Sequence, residues 1–230
     1  MELEITAREL QAVAAAPPQP RLARAGEPRR VNNLTLIDGK TFLATALAGD
    51  IAPPSSTDVG LFHHDTRFLS HWELIINDHR TVVLSASSQQ NILAQIELTT
   101  TNIAVRDNLD LPENTVHIRR EQLLAGHFFD RLRFHNFSLQ PVTLAVELRF
   151  AADFMDVFQV RGMLRTGAGI YFAPVARPDG MIFAYLGKDE LFRQTRVRFD
   201  PPPRELHPDR ALFEVELAPG GQGELAAVVE

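Results

Sequence analysis

Two short clusters in this sequence combine residue types that could do chemistry. The first is His63-His64-Asp65, with Arg67 close behind. Two imidazoles and a carboxylate are metal-ligand types. Neighbours on a strand point to opposite faces, however, so His63 and His64 do not reach one ion from an extended segment. Asp65-Thr66 has the composition of a turn whose carboxylate accepts backbone N–H bonds. The second cluster is Asp153-Phe-Met-Asp156, followed by Arg161-Gly162. Glycoside hydrolysis needs two carboxyl groups roughly 5–10 Å apart. Asp153 and Asp156 meet that distance in several conformations, so the spacing alone selects nothing. Phe154, Val157, Phe158 and Val160 read as core. Asp153, Asp156 and Arg161 are then expected to form a hydrogen-bonded corner between sheets, because a buried carboxylate needs partners.

Other chemistries are missing from the sequence. There is no cysteine, which removes disulfides, Cys-ligated metals and thiol nucleophiles. There is no phosphate-cradling P-loop and no Gly-x-Ser-x-Gly elbow, and Lys40 and Lys188 are the only lysines. Nothing calls for a cofactor. The net charge of −6 disfavours a nucleic-acid partner. No apolar run is long enough to span a membrane. Glu2, Glu4 and Glu9 at the N-terminus do not fit a secretory signal, so the expected location is the cytoplasm. One tryptophan, Trp72, and two tyrosines, Tyr171 and Tyr185, stand against fifteen phenylalanines. That set suits a core better than a sugar-stacking face.

The elements that must position these residues are strands. Val142, Leu144, Val146, Leu148 and Phe150 share one parity, against Thr143, Glu147 and Arg149. A period of two marks a half-buried strand. The same alternation recurs at Trp72–Ile76, Phe128–Phe134, Arg196–Phe199 and Phe213–Leu217. Further strands are expected at 34–38, 41–47, 91–99, 115–124, 170–175, 181–186 and 224–229. Turn residues at 77–80, 136–141 and 218–221 predict hairpins. The fold class is therefore all-β: a large antiparallel β-sandwich over residues 33–230. Residues 1–32 form a separate leader, helical or disordered and mobile or loosely docked. Its Met1–Ala16 part has helical content, and Pro17-Pro18-Gln19-Pro20 ends it. Arg21, Arg24, Arg29 and Arg30 follow; Glu27 interrupts them and weakens a basic nucleic-acid arm.

Several ordered blocks resemble one bacterial family. They are Gly49-Asp50-Ile51, Gly60-Leu-Phe-His-His-Asp65-Thr-Arg67-Phe-Leu-Ser70, Trp72-Glu-Leu with Asn77, Ile118-Arg-Arg-Glu121, Asn136-Phe-Ser138 and Asp153-Phe-Met-Asp156-Val-Phe-Gln-Val-Arg161-Gly162. Together they are similar to the N-terminal domain of bacterial glycogen debranching enzymes of the amylo-α-1,6-glucosidase type. The resemblance implies a sandwich ahead of an (α/α)-barrel that carries the catalytic carboxylates. No stretch of this chain could form that barrel, so the resemblance assigns no catalytic residue here. It makes Asp65, Arg67, Asp153, Asp156 and Arg161 a structural or domain-interface cluster. It makes the partners a C-terminal catalytic domain of the same protein and an α-glucan, with a homodimer where that partner is absent. Gln159 stands where the family motif is expected to be acidic, which puts a charge-dependent role there in doubt. The chain ends on a candidate strand, Glu224–Glu230, and the expectation is that the gene continues. Two rivals remain at this stage: a free-standing carbohydrate-binding module, and a mutarotase-like enzyme using His117, His127 and His135 with Glu121.

Overall fold

A computed structural model of the chain describes residues 5, 9–13, 33–52, 59–101, 103–105, 109–163 and 169–230. In chain order its first strands are β1 (Ala12–Val13), β2 (Asn33–Asp38), β3 (Thr41–Ala46), β4 (Gly60–His63), β5 (Thr66–Leu69), β6 (His71–Ile76) and β7 (His79–Arg80). Then come β8 (Val82–Gln89), β9 (Leu93–Thr99), β10 (Ile103–Val105), β11 (Leu109–Leu111), β12 (Val116–Ala125), β13 (His127–Asn136) and β14 (Val142–Ala151). A four-residue helix, α1 (Val157–Val160), separates these from the rest. The last seven are β15 (Ile170–Phe172), β16 (Val175–Arg177), β17 (Gly180–Leu186), β18 (Phe192–Asp200), β19 (Glu205–His207), β20 (Arg210–Leu217) and β21 (Gln222–Val229).

Three antiparallel sheets share one core. A ten-stranded sheet runs β1-β15-β17-β18-β21-β13-β12-β9-β8, with β16 also on β17. A five-stranded sheet runs β19-β20-β14-β6-β7, and a four-stranded sheet runs β2-β3-β4-β5. The alternation expected in the sequence is the reason. Val142, Leu144, Val146, Leu148 and Phe150 are all buried, and they meet Phe128, Leu132 and Phe134 of the large sheet in a single cluster. Burying each such side chain contributes about 1.5–3 kcal/mol. Trp72 lies fully inside, stacked on Phe199 and edge-on to Phe128, so it is no sugar platform. Phe158, expected in the core, is exposed; its short helix turns only Val160 fully inward.

The predicted turns exist, but two of the three predicted hairpins are crossings between sheets. The chain goes from β13 in the large sheet to β14 in the five-stranded one, and returns from β20 to β21. The third, at Asn77-Asp78, makes only the short β6–β7 pair before β8 joins the large sheet. Turn residues signal a reversal, not the partner that follows it. One buried side chain fastens both crossings. Asn136 Nδ2 donates to the carbonyls of Gln140 (2.7 Å), Leu217 (3.3 Å) and Ala218 (3.1 Å). Its Oδ1 accepts from Ser138 N at 2.9 Å. The helical expectation for the leader also fails where it is described: Ala12–Val13 is an edge strand on Phe172 and Tyr171. Residues 14–32, with Arg21, Arg24, Arg29 and Arg30, lie outside the described residues. Among the described residues no helix is long and apolar enough to cross a membrane.

A polar network sits inside the core and touches all three sheets. Arg120 occupies an inward position of β12, fully buried. Its Nε and Nη2 donate to Asp130 at 3.0 and 2.7 Å. Its Nη1 donates to Asp50 Oδ1 at 2.6 Å and to Ala48 O at 2.8 Å. Trp72 Nε1 from β6 donates to Asp130 Oδ2 at 2.6 Å, and Gln122 Nε2 reaches the Gly49 carbonyl at 2.8 Å. Leu74 N donates to Asp50 Oδ1 at 3.2 Å. Gly49 lies at φ +84, and a Cβ there would fall 2.9 Å from both Gln122 Nε2 and Ile96 Cδ1. Only glycine lets the backbone come this close.

Burial pushes the Asp50 carboxyl up, with Arg120 and the Leu74 N–H pulling the other way. Desolvation acts against the Arg120 charge, but Asp130 and Asp50 together hold its guanidinium above the ordinary arginine range. A folded-state value above the unfolded one means that Asp50 adds stability at low pH, which is lost as the pH rises through the folded value. Asp50→Asn keeps the acceptor oxygen and has no charge to desolvate. In urea titrations the wild type should therefore lose ground to Asp50→Asn as the pH rises above the ordinary aspartate value of 3.8; the opposite trend would show that Asp50 is held ionised. Arg120→Met should cost about 3–5 kcal/mol, because two carboxylates stay buried without their counter-charge. A loss under about 1 kcal/mol would contradict the role given to Arg120.

Candidate functional site

The two clusters singled out in the sequence meet at one corner. β4 and β5 form a hairpin whose turn is His64-Asp65, with His64 at φ 51. The segment after β14 lies along β5: Arg67 N donates to Met155 O, and Val157 N to Asp65 O, both at 2.8 Å. Arg67 then clamps Asp153 at two points. Its Nε donates to Oδ1 at 3.1 Å, and its Nη2 pairs with Oδ2. Both side chains are nearly buried, at 12% and 7% exposed. Tyr171 OH donates to the Asp153 carbonyl at 2.8 Å. Burial pushes this phenol above its ordinary range, and the neighbouring Tyr185 and Asp153 add to the rise.

Asp156 and Arg161 bracket α1. The Asp156 carboxylate accepts from Phe158 N and Gln159 N, each at 2.9 Å, as an N-cap. Gln159 answers: its Oε1 accepts from Asp156 N at 3.2 Å, completing a capping box. Glutamine and glutamate both fill that place, so Gln159 keeps the geometry an acid would supply. Arg161 is the C-cap, its N–H donating to Val157 O at 3.1 Å. Asp65 enters through its backbone carbonyl, with its residue exposed in the turn. His63 Nδ1 shares a hydrogen bond with Thr41 Oγ1 at 2.8 Å. Among the described residues no group of three or more His, Asp or Glu could hold a metal ion. Asp156→Ala should lower stability by about 1 kcal/mol in thermal unfolding, while Gln159→Glu should change it by under about 0.5 kcal/mol. Equal losses in the two variants would mean that the capping box is not what holds the corner.

A second arrangement covers the outward face of the large sheet, and of its members the sequence singled out only His117, His135 and Glu121. Four strands place outward residues in rows. Thr99, His117, His135 and Gln222 form one row; Glu97, Arg119, Arg133 and Glu224 form the next. Opposite charges meet across strands: Arg119–Glu97 at 2.9 Å, Arg133–Glu224 at 3.2 Å and Arg131–Glu224 at 3.1 Å. His117 Nε2 lies 2.7 Å from Glu97 Oε2. At the end of the rows is a shallow depression of about 370 Å³ lined by His117, Arg119, Arg133, Phe134, His135, Phe137 and Gln222.

The sequence-based trio of histidines is only partly assembled here. His117 and His135 are cross-strand partners, but His127 sits opposite Ala125 at the far end of the hairpin. Glu121 is also not the carboxylate that meets an imidazole; it pairs with Arg133 at 3.5 Å, while Glu97 takes His117. Positions in this hairpin pair symmetrically about Gly126, which lies at φ +69. That glycine is the signal from which the register could have been read.

A search of curated proteins finds no match to the chain. Among solved structures, a candidate aldose 1-epimerase of Escherichia coli K12 has a TM-score of 0.50 at 8% identity, over 86% of this chain and 98% of that one. A galactose mutarotase-like protein of Clostridium acetobutylicum has a TM-score of 0.42 at 7% identity, over 85% and 94%. Heparan sulfate lyase HepC of Pedobacter heparinus has a TM-score of 0.37 at 15% identity, over 82% of this chain and 32% of that one. At 8% identity the Escherichia coli likeness is one of fold alone. The sequence blocks gathered at the corner and around Arg120 fall within residues 36–227, and that span matches a family model. The chain belongs to the family of N-terminal domains of some glycogen debranching enzymes.

Proposed function

We propose that this chain is the non-catalytic N-terminal β-sandwich domain of a glycoside hydrolase of the amylo-α-1,6-glucosidase type, working in the cytoplasm. Its role is to support a separate catalytic domain of the same protein. The observation that carries this reading is the family match over residues 36–227, joined to the fate of the polar residues inside it. Arg67 and Asp153 clamp each other, Asp156 caps a helix, and Arg120, Asp130 and Asp50 are locked in the core. Each carboxylate is engaged in holding backbone or neutralising a guanidinium. A glycosidase acid needs the opposite, a carboxyl held ready to give up its proton beside substrate.

The purified chain should release no glucose from an α-1,6-branched limit dextrin. It should co-purify with a separately produced catalytic polypeptide of the same protein, and Asp65→Ala at the exposed turn should weaken that association without lowering the melting temperature. Glucose release by the chain alone would overturn the reading, as would failure to associate. A second reading, a sugar-epimerising enzyme, is favoured by the His117–Glu97 pair at 2.7 Å and by the fold shared with the candidate aldose 1-epimerase of Escherichia coli. It predicts mutarotation of glucose above the buffer rate, abolished in His117→Ala; a rate equal to buffer rejects it.

A further inference from the structure

We propose that the free edge of β8 pairs with the same edge of a second copy of this chain, joining two large sheets across a two-fold axis. The first observation is an open edge. β8 is the last strand of the ten-stranded sheet, and β9 takes one side of it. Among the described residues no strand takes the other side. Val82, Leu84, Ser85, Ser87, Ser88 and Gln89 are all exposed. Past a bulge at Leu84, Ser85 to Gln89 keep an unbroken register with β9, opposite Glu97 to Leu93. That leaves a row of backbone N–H and C=O groups facing water, which an extended strand can complete.

The second observation is that the other edges of the three sheets are guarded. β1 and β16 are two and three residues long, and Arg177 of β16 pairs with Glu9. β7 has two residues, and its Arg80 is held by Glu73. β19 follows Pro201-Pro202-Pro203 and carries Glu205 and His207. β5 is covered by the segment after β14, through Arg67 N to Met155 O and Val157 N to Asp65 O. β2 ends in Asp38, and its Ile37 N donates to Asn91 O. Charge, proline, brevity and cover are the ordinary means of blocking an edge. β8 has only its bulge.

The third observation names the partner. No residue from Thr81 to Ile96 is charged, although 23% of the chain is. A two-fold axis at β8 sets residues beside their own symmetry mates, so a charge near the axis would face itself. A foreign strand imposes no such condition, because its charges can be complementary. On a chain of net charge −6, an uncharged edge is the place where two copies meet without repulsion. Ser87 is the middle of the regular stretch, so Ser85 of one copy falls opposite Gln89 of the other. Five paired residues a side fall well short of the roughly 20–30 of a stable interface, so the dimer forms and parts with concentration.

Sedimentation equilibrium on the full chain tests the proposal. The average mass should climb from 25.7 kDa toward twice that value as concentration rises roughly a hundredfold. Ser87→Lys should weaken the association by about tenfold or more, because two like charges then meet. Ser87→Glu should do the same, and mixing the two variants should restore the dimer. The chain has no cysteine, so Ser87→Cys reports the contact directly. A short bismaleimide should join two copies of Ser87→Cys and leave Glu216→Cys, altered on β20 of the five-stranded sheet, monomeric. All these variants should melt with the wild type, since Ser87 and Glu216 are exposed. A mass fixed at 25.7 kDa, a dimer indifferent to Ser87→Lys, no rescue on mixing, or equal cross-linking at both positions would each overturn the proposal. None of these results touches the supporting role, which fails only if the chain hydrolyses dextrin or does not associate with its catalytic polypeptide.

Discussion

The fold depends on one buried guanidinium. Arg120 sits where the alternation of β12 calls for an apolar residue, and it is paired with Asp130 and Asp50. Each partner comes from a different part of the architecture. Asp130 is on β13 of the large sheet. Asp50 follows β3 of the four-stranded sheet. Trp72, on β6 of the five-stranded sheet, donates to the same Asp130 oxygen that Arg120 uses. Apolar packing can bring three sheets together in many offsets, since it has no direction. A guanidinium with fixed donors accepts few of them. The network therefore sets how the sheets align, and Gly49 is required because its backbone must come up against Arg120 and Gln122.

Once the sheets are aligned, the two faces of the large sheet divide the work. Inward residues of β12 and β13 fill the core. Outward residues form rows of Arg, Glu, His and Gln that pair across strands. The corner of Arg67 and Asp153 does a similar job at the edge of the four-stranded sheet, tying the chain after β14 back onto β5 through two backbone hydrogen bonds and a two-point ion pair. An antiparallel sheet offers many rigid positions on one plane, so binding groups can be added to its outer face without altering the core beneath.

Much of the fold was legible because a strand's period is local. Val142–Phe150 shows its buried face in nine letters, and the structure keeps all five apolar residues inside. The strand partners were not legible. Asn136-Phe137-Ser138 reads as a hairpin turn, yet β13 and β14 lie in different sheets, because Asn136 finds the carbonyls of a crossing more than eighty residues away. At Ala12–Val13, within the described part of the leader, the helical expectation fails for the same reason in reverse. The leader's alanines favour a helix, but Ala12–Val13 finds an open sheet edge, and pairing outweighs a weak propensity. At the site, the residues of the corner were picked out, but their pairing was not. The guanidinium for Asp153 turned out to be Arg67, 86 residues away.

The amino-acid sequence alone determined an all-β sandwich, the absence of thiol and P-loop chemistry, and the blocks that carry the family likeness. These follow from residue types and from alternation over a few positions. Tertiary structure decided which charges are buried and which face water. Arg119 and Arg120 are adjacent in the chain; one pairs with Glu97 in the solvent-facing rows, and the other is locked in the core. A strand turns successive side chains to opposite faces. Only the sheet packed against it decides which of those faces becomes the interior.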